Sequence, residues 1–380
     1  MKIPIIIFSF IILLNNAFAL KVREYEKKPK SFYNIGRIVS RYEKKKLVKN
    51  LRDFVLFTRP SRYPGTTGHK KAIPWLLKKL KDIGSSDELI SVEIFTPDIS
   101  KAIASYEDDF NKKIKLSFKT SDPIFNKWRA FTDNVQNSLK KFKGLKGSNL
   151  VWEKKGVGTS KEVLILGAHF DTIAYDSEST KVLANSIMPG ADDNGTGVAT
   201  LLAIIEILNK LEIEKTVRII FFDFQELGFL GSLDYTNKHK YDLIKNVTAY
   251  INVEMLGNDT KLKDTEKKLK NYKAYIRPQN KSGHKKDLKI AENFVLAGKK
   301  SRSNIRFEIK PNGYANSDHI NFWNINVPAV AFTQNIETDY NKSRHHTSND
   351  FPEAINTKSF YEAYKFLAAA VISWSFDITR

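Results

Sequence analysis

The 380-residue sequence contains no cysteine. Disulfides, thiolate metal sites, iron–sulfur clusters and cysteine nucleophiles are therefore excluded, and a bound metal would have to use histidine, aspartate or glutamate. Histidine itself is scarce, with only seven in the chain. No internal repeat and no Gly/Ser-rich linker divides the sequence. Hydrophobic residues make up 42%, which is enough for a large buried core and excludes wholesale disorder.

Beyond the N-terminus, no apolar run is long enough to span a membrane. Residues 1–19 have the features of a secretory signal: an early lysine, a short apolar run over residues 3–14, and the tripeptide Ala-Phe-Ala ending at Ala19. We expect cleavage near Ala19 and an exported mature chain, periplasmic or secreted. Residues 20–39 would then be an N-terminal extension.

Acidic residues are outnumbered, with 42 Asp and Glu against 62 Lys and Arg, and the formal charge is +20. Lysines are densest in a segment around residues 259–290. No aromatic stacking pattern or nucleic-acid motif accompanies them, so a solvated surface segment is favoured and no specific nucleic-acid partner is expected. The charge alone would favour weak association with anionic envelope surfaces.

From about residue 40, strand and helix patterns alternate. Continuous apolar runs predict buried strands over residues 163–168, 217–222, 249–253 and 327–333. Helical spacing predicts helices over residues 42–58, 70–83, 195–211, 227–238 and 357–374. Alternation predicts further strands over residues 88–97 and 113–119. Together these patterns predict an α/β fold, with a mixed, mostly parallel sheet flanked by helices on both faces, in one domain over residues 40–380.

Acidic and imidazole side chains follow the predicted strands, in the motifs GAHFDT at 167–172, PGADDNGTG at 189–197, FQELGFLGS at 224–232 and NVEMLG at 252–257. Open α/β sheets bind ligands at this edge of their strands. Several carboxylates gathered there would repel one another unless a cation neutralised them, and imidazole with carboxylate suits zinc. A second imidazole, in the C-terminal HHTSND motif at 345–350, allows a two-metal site.

These motifs, together with NSDHINFW at 316–323, resemble those of secreted di-zinc aminopeptidases of the bacterial leucyl aminopeptidase type. Glutamate carboxypeptidases and glutaminyl cyclases are relatives of that family. The resemblance extends over roughly residues 40–378 and implies a zinc exopeptidase-like fold. It further implies a hydrolase that uses two Zn²⁺ ions and an activated water to remove N-terminal residues from peptides with a free N-terminus.

The resemblance assigns five zinc ligands, with the aspartate bridging the two ions: His169, Asp192, Glu226, Glu254 and His346. His346 is preferred to its neighbour His345 because the family motif places the ligand directly before Thr-x-x-Asp. Asp171 would orient the first histidine by hydrogen-bonding its distal nitrogen. Asp318 and His319 would line the pocket. Of the other histidines, three lie among lysines and polar residues and are expected to be exposed to solvent: His69, His239 and His284.

One position departs from the family pattern, which has Glu-Glu where this chain has Gln225-Glu226. The first glutamate is the family's general base, and a carboxamide can neither take up nor return its proton. Losing a general base costs about 10²–10⁴-fold in rate. Three interpretations stay open. Another acid, such as Asp223 or Glu254, transfers the proton; the chain is an impaired homologue that binds zinc or peptide; or its chemistry is glutaminyl cyclase-like.

Overall fold

The computed structural model describes residues 27–176, 178–184, 186–258, 269–311, 316–336, 341 and 343–378. The expected signal segment lies outside the described residues, and so does the first third of the lysine-rich segment. None of the helices in the described part of the chain combines the length and the apolar character that a membrane crossing requires.

The described residues form one eight-stranded sheet. Its strands are β1 (Ile90–Phe95), β2 (Gly147–Lys154), β3 (Val163–His169), β4 (Thr216–Phe222), β5 (Val247–Val253), β6 (Leu269–Tyr275), β7 (Ile305–Lys310) and β8 (Ala329–Gln334). Their spatial order is β1-β2-β4-β3-β5-β8-β6-β7. The four central strands β4, β3, β5 and β8 are parallel, whereas β2 joins β4, and β6 joins β8, in antiparallel fashion. The predicted mixed, mostly parallel sheet is confirmed.

Helices cover both faces of this sheet, as predicted. They are α1 (Phe32–Ser40), α2 (Lys44–Phe57), α3 (Thr67–Asp82), α4 (Ile99–Asp109), α5 (Pro123–Lys140), α6 (Gly197–Asn209), α7 (Leu230–Lys238), α8 (Lys240–Asn246), α9 (His284–Lys300), α10 (His319–Asn324) and α11 (Thr357–Ser375). The larger core packs α1–α3, α6, α9 and α11 against one face. The smaller core packs α7, α8 and α10 against the other.

The sequences of the central strands are nearly continuous apolar runs because both faces of these strands are buried. In β3, Leu164 and Leu166 belong to the larger core, while Val163 and Ile165 belong to the smaller one. Side chains alternate across a strand, so every position of such a strand meets a hydrophobic layer.

The strand expected over residues 113–119 does not form. A π-helical turn over Phe110–Ile114 follows α4, and a loop then leads to α5. Ile114, Leu116 and Phe118 alternate with polar residues as in a strand. Leu116 is nevertheless 81% exposed, so the apolar side chains of this segment do not form one buried face. Helices α4 and α5 instead form a third apolar cluster with the loop that follows β4. This helix pair becomes a wall of the candidate site.

Candidate functional site

Parallel strands bring their C-terminal ends to one edge of the sheet, and the acidic motifs meet there. His169 ends β3, Gln225 and Glu226 follow β4, and Glu254 follows β5. All four side chains are buried. The turn before α6 and the loop before α11 complete the cluster with an aspartate and two histidines.

The centre of the cluster is Asp193. One carboxylate oxygen, Oδ1, lies 3.2 Å from His169 Nε2, and the other, Oδ2, lies 3.2 Å from His346 Nε2. His169 Nε2 is also 3.5 Å from Glu254 Oε1, and His346 Nε2 is 3.0 Å from Glu226 Oε2. Five side chains from five segments therefore converge, with one carboxylate between two imidazoles.

The structure corrects the expectation for Asp192, whose side chain points away from the two imidazoles. Its Oδ1 accepts a hydrogen bond from the Gly257 N–H at 2.7 Å, and its Oδ2 accepts bonds from Gln334 and Asn341. The turn is kinked at Asp193, where φ is −108° and ψ is 95°, so consecutive aspartates face different directions. The sequence motif contains both and does not indicate which one faces the cluster.

His345, the neighbour to which His346 was preferred as a ligand, also reaches the cluster. Its Nε2 lies 3.1 Å from Asp193 Oδ2, and its ring stacks on that of His346 with centroids 3.7 Å apart. His346 differs from it by contacting a second carboxylate, that of Glu226. The preference for His346 as a ligand remains a prediction.

Asp171 supports the site in a way that only partly matches the expectation. His169 Nδ1 lies 3.2 Å from the main-chain oxygen of Asp171, while the carboxylate Oδ1 is 3.6 Å away. The carboxylate instead accepts the backbone N–H groups of Gln225 at 3.0 Å and Glu226 at 3.1 Å. It thereby ties the end of β3 to the loop after β4.

The Gln225 side chain lies inside a polar network. Its Nε2 donates to Ser317 Oγ at 3.2 Å and to Glu254 Oε1 at 3.4 Å. Asn252 Nδ2 donates to the other Glu254 oxygen at 3.1 Å and to Ser317 Oγ at 3.0 Å. Ser317 lies inside the motif at 316–323, and its place in this network was not predicted from the sequence.

Asp318 and His319 are fully buried and do not line the cavity, which corrects the expectation for both. Asp318 immediately precedes α10, and His319 begins it, with its ring edge-on to Trp323 at 4.6 Å. The packing of this helix carries both side chains into the protein interior. Burial raises the pKa of Asp318 to about 7, against the lowering influence of His169.

Arg62, from the segment between α2 and α3, joins two site loops. It is 1% exposed and donates to the main-chain oxygens of Phe170, Pro189 and Gly190 at 2.5, 2.7 and 2.7 Å. Burial lowers the pKa of the guanidinium to about 10, although Asp350 and other nearby carboxylates oppose this shift. Sequence reasoning did not identify this residue.

The loop before α11 braces the turn before α6 through Asp350. The Asp350 carboxylate accepts the backbone N–H groups of Asp192 and Asp193 at 3.0–3.1 Å. Burial, reinforced by the Asp192 carboxylate, raises the pKa of Asp350 to about 8. The last residue of the HHTSND motif therefore holds the backbone of the central carboxylate.

Three left-handed residues border the cluster: Phe224 with φ of 55°, Met255 with φ of 46° and His346 with φ of 56°. Each costs roughly 1–2 kcal/mol for a residue with a side chain. Such conformations persist where surrounding contacts over-determine them, and they concentrate at functional sites. Two of them flank Gln225 and Glu254, which follow β4 and β5, the strands on either side of β3.

The electrostatics of the cluster fit a bound divalent cation. Burial acts to lower the pKa of His346, yet the carboxylates of Glu226 and Asp193 raise it to about 10. Several buried side-chain atoms in the described part of the chain have no hydrogen-bond partner, and three of them belong to this cluster: His169 Nε2, Asp193 Oδ1 and Glu226 Oε1. Ligand atoms of these same three residues lie within 4.8 Å of one another. Imidazole nitrogen with carboxylate oxygen is a donor set suited to zinc.

A cavity of about 850 Å³ opens over the cluster. Its floor includes Asp193, Gln225, Glu226 and Glu254, together with both adjacent histidines of the C-terminal loop. Aromatic residues of α4 and α5 supply much of its wall. The cluster is thus accessible to a ligand of substantial size.

A sequence model of peptidase family M28 matches residues 149–371, which is more than half of the chain and contains every member of the cluster. The chain is 25% identical over 237 residues to Aminopeptidase YwaD of Bacillus subtilis, a match that covers 61% of this chain and 46% of that protein. It is 30% identical over 114 residues to a probable lipoprotein aminopeptidase, LpqL, of Mycobacterium tuberculosis, covering 30% of this chain and 20% of that protein. The chain therefore spans less than half the length of either curated relative.

Solved structures share the fold. An aminopeptidase from Aneurinibacillus sp. strain AM-1 aligns with a TM-score of 0.61 at 16% identity, over 89% of this chain and 95% of that one. A Bacteroides thetaiotaomicron glutaminyl cyclase bound to N-acetylhistamine aligns with a TM-score of 0.59 at 17% identity, over 88% and 98%. At such identities the likeness establishes the fold alone.

His69 was expected at the surface, but the structure buries it behind the site. Its side chain is 10% exposed, and its Nε2 lies 2.8 Å from Asp223 Oδ1. The Asp223 carboxylate also accepts the backbone N–H groups of Ser148 and Phe224. The lysines around His69 in the sequence suggested a solvated helix, whereas the start of α3 packs against the loop after β4.

We predict that His69→Ala lowers the free energy of unfolding by about 3 kcal/mol, the low end for breaking a buried ion pair, because Asp223 keeps two backbone donors. Burial acts to lower the pKa of His69, but the Asp223 carboxylate raises it above its ordinary value. The ionic part of the stabilisation is therefore fully present below about pH 6.5 and is lost as pH rises through the raised pKa.

Denaturant unfolding of native and variant protein from pH 5.5 to 9 measures this difference. Lys70→Ala, a neighbouring substitution without this ion pair, is the control. A stability difference that grows with pH would contradict the ion-pair interpretation.

Proposed function

The chain belongs to peptidase family M28, and from that premise we propose that it is a zinc-dependent aminopeptidase that removes N-terminal residues from peptides. The observation that carries the proposal is the convergence of His169, Asp193, Glu226, Glu254 and His346 beneath a large cavity. Buried carboxylates and imidazoles with unsatisfied polar atoms require a cation, and the same cavity has room for a peptide N-terminus.

The proposed ligand arrangement has two sides that share one carboxylate. His169 and Glu254 would hold one zinc ion, Glu226 and His346 the other, and Asp193 would lie between them. Zinc bound there would supply Lewis-acid polarisation of the scissile carbonyl and a lowered pKa for the attacking water. Two ions per chain is the expected stoichiometry.

The protein's own residues would bind and orient the peptide. The carboxylates of Glu226 and Glu254 would attract the α-amino group, and the cavity wall would hold the first side chain. Asp171 keeps the backbone of Gln225 and Glu226 in place through two hydrogen bonds. Asp350 does the same for the turn that carries Asp193.

Proton transfer is the step that Gln225 leaves open. Of the two acids considered from the sequence, Asp223 is buried and bound to His69 and two backbone N–H groups, and it does not line the cavity. Glu254 does line it. We therefore favour the Glu254 carboxylate as the group that takes up the proton, through the oxygen that it does not offer to zinc, with a turnover well below that of an enzyme with a dedicated base.

The second candidate is a non-hydrolytic protein that binds zinc and peptide N-termini. The observation that favours it is the Gln225 amide, whose Nε2 donates to Ser317 and Glu254 where a general base would be needed. A glutaminyl cyclase-like reaction is a third, less favoured candidate.

Export to an extracytoplasmic location belongs to the same proposal. Residues 1–19 have the pattern of a secretory signal. The printed description of the Mycobacterium tuberculosis relative as a lipoprotein concerns that protein, but it is consistent with an extracytoplasmic location.

We predict that Asp193, and not Asp192, binds the metal. We expect Asp193→Asn to reduce bound zinc from two equivalents to at most one, because this carboxylate lies between both imidazoles. Asp192→Asn is the matched control, since its side chain accepts bonds from Gly257 and two amides instead, and it should retain both equivalents. Elemental analysis after dialysis measures the difference. Loss of zinc only in the Asp192 variant would overturn the assignment.

We predict that Gln225→Glu restores a general base to the site. The new carboxylate would lie near Glu254 Oε1, which is now 3.4 Å from Gln225 Nε2. Two adjacent carboxylates raise the pKa of one of them, which moves a general base towards neutral pH. We expect kcat on aminoacyl chromogenic substrates to rise about 10²–10⁴-fold, and the activity to disappear with chelator.

Gln225→Ala, which adds no carboxylate, is the control and should show no gain. Detectable chelator-sensitive turnover by the native chain supports the aminopeptidase. A silent native chain with an active Gln225→Glu variant favours the binding protein. Silence in both zinc-loaded proteins would contradict the proposed reaction.

A further inference from the structure

The segment between β1 and β2 is far longer than its connection requires. The two strands are antiparallel neighbours, with Phe95 paired to Gly147 at their near ends. A few residues suffice to join such a pair. Here the chain leaves the sheet for residues 96–146, builds α4 and α5, and returns. The whole segment precedes residues 149–371, the part that matches the family.

This segment lies over the candidate site. Tyr106 from α4 and Phe110 from the π-helical turn after it line the cavity whose floor is the cluster, together with Trp128 and Phe131 from α5. The helix pair is anchored below by an apolar cluster that includes Val135, and by a 3.5 Å contact in which the Tyr106 hydroxyl donates to the Glu226 main-chain oxygen. The helix pair is thus fixed to the loop that carries a candidate ligand.

A ladder of aromatic rings runs from the surface to the cluster. Trp128 contacts Phe131 with ring centroids 5.5 Å apart, Phe131 contacts Tyr175 at 5.3 Å, and Tyr175 contacts His346 at 5.4 Å. Trp128, at the outer end, is 45% exposed. The rings meet at steep angles of 59–81°, so they present both edges and faces along the wall.

Charge does not dominate this wall. On the two helices and the turn between them, the charged residues that line the cavity are Asp109, Lys113 and Lys127, and the first two form an ion pair at 2.9 Å. Beside the wall, Arg129 makes a bidentate contact with Glu107, at 2.9 Å for each bond. Arg129 also lies over the Phe110 ring at 4.5 Å. The contacts offered to a ligand along the ladder are therefore mainly aromatic.

The cavity is large for one small side chain. Its volume of about 850 Å³ lies towards the upper end of the roughly 300–1,000 Å³ of ligand pockets. An aromatic first residue would contact Phe131 and Tyr175, and the space out to Trp128 would remain for the next residues. Each aromatic pair favours an aromatic side chain by about two- to tenfold beyond area burial.

We propose that residues 99–140 form a specificity wall that selects peptides whose first residue is aromatic, with Phe131 as the main determinant and Trp128 contacting the residue after it. The inference rests on the proposed function in one respect, because the α-amine must sit at the cluster for the first side chain to reach Phe131.

The test measures binding rather than turnover. The probes are the peptides Phe-Ala-Ala-Ala, Leu-Ala-Ala-Ala and Ala-Ala-Ala-Ala, each with its first amide replaced by a reduced CH₂–NH bond that cannot be hydrolysed. Calorimetry on the zinc-loaded full chain should show the Phe peptide binding about tenfold more tightly than the Leu peptide. An N-acetylated Phe peptide should bind weakly, because it lacks the free amine.

Phe131→Leu keeps an apolar side chain of similar size and should abolish the preference of Phe over Leu. Phe131→Tyr should preserve it. Trp128→Ala should weaken the binding of a fourth reduced peptide, Phe-Phe-Ala-Ala, while leaving the preference of Phe over Leu at the first residue. Phe125→Ala is the matched control on the same helix, since this ring contacts Phe110 and does not line the cavity. Thermal unfolding of each variant verifies that it is folded.

The outcomes separate the two proposals. If the native protein prefers the Phe peptide, loses that preference in Phe131→Leu and shows no turnover, the result supports the specificity wall and excludes the proposed hydrolytic function. Hydrolysis with equal binding of Phe and Leu peptides, or a preference unchanged in folded Phe131→Leu, overturns the wall and leaves the function standing.

Discussion

The structure depends on how negative charge is compensated at one edge of the sheet. Asp171, Asp193, Glu226 and Glu254 are all buried there within one small volume. Burying even one uncompensated carboxylate is strongly unfavourable, and neighbouring carboxylates add repulsion. Each of these carboxylates therefore has a specific hydrogen-bonding or charged partner. Forming these contacts fixes the positions of the loops around the site.

Three kinds of partner share this task. Backbone N–H groups bind Asp171 and Asp350, and in doing so connect loops that follow different strands. The buried Arg62 adds a cation nearby while fastening two of the same loops through their main-chain oxygens. Imidazoles face Asp193 from both sides. The unsatisfied ligand atoms that remain point to a divalent cation as the last partner.

Much of this could be predicted from the sequence, because the physics is local or motif-like. The central strands appear as apolar runs since both faces are buried, and acidic motifs after parallel strands must meet at one edge. The resemblance assigned Asp192 as the bridging ligand, but Asp193 faces the imidazoles, because the kink at Asp193 points the two consecutive side chains in different directions. His69 and residues 113–119 were misjudged for a related reason: composition and alternation describe neighbours along the chain, whereas burial is decided by elements that are distant in sequence. Asp318 and His319 lie in a motif near the site, but the packing of α10 turns them into the interior.

The central claim is that a metal ion occupies the cluster around Asp193. Anomalous diffraction at the zinc absorption edge, from crystals of the mature chain grown with zinc, tests it most directly. The account predicts two anomalous peaks, one between Asp193, His169 and Glu254, and one between Asp193, Glu226 and His346. A map without a peak at Asp193, or with a peak held by Asp192 instead, would contradict it.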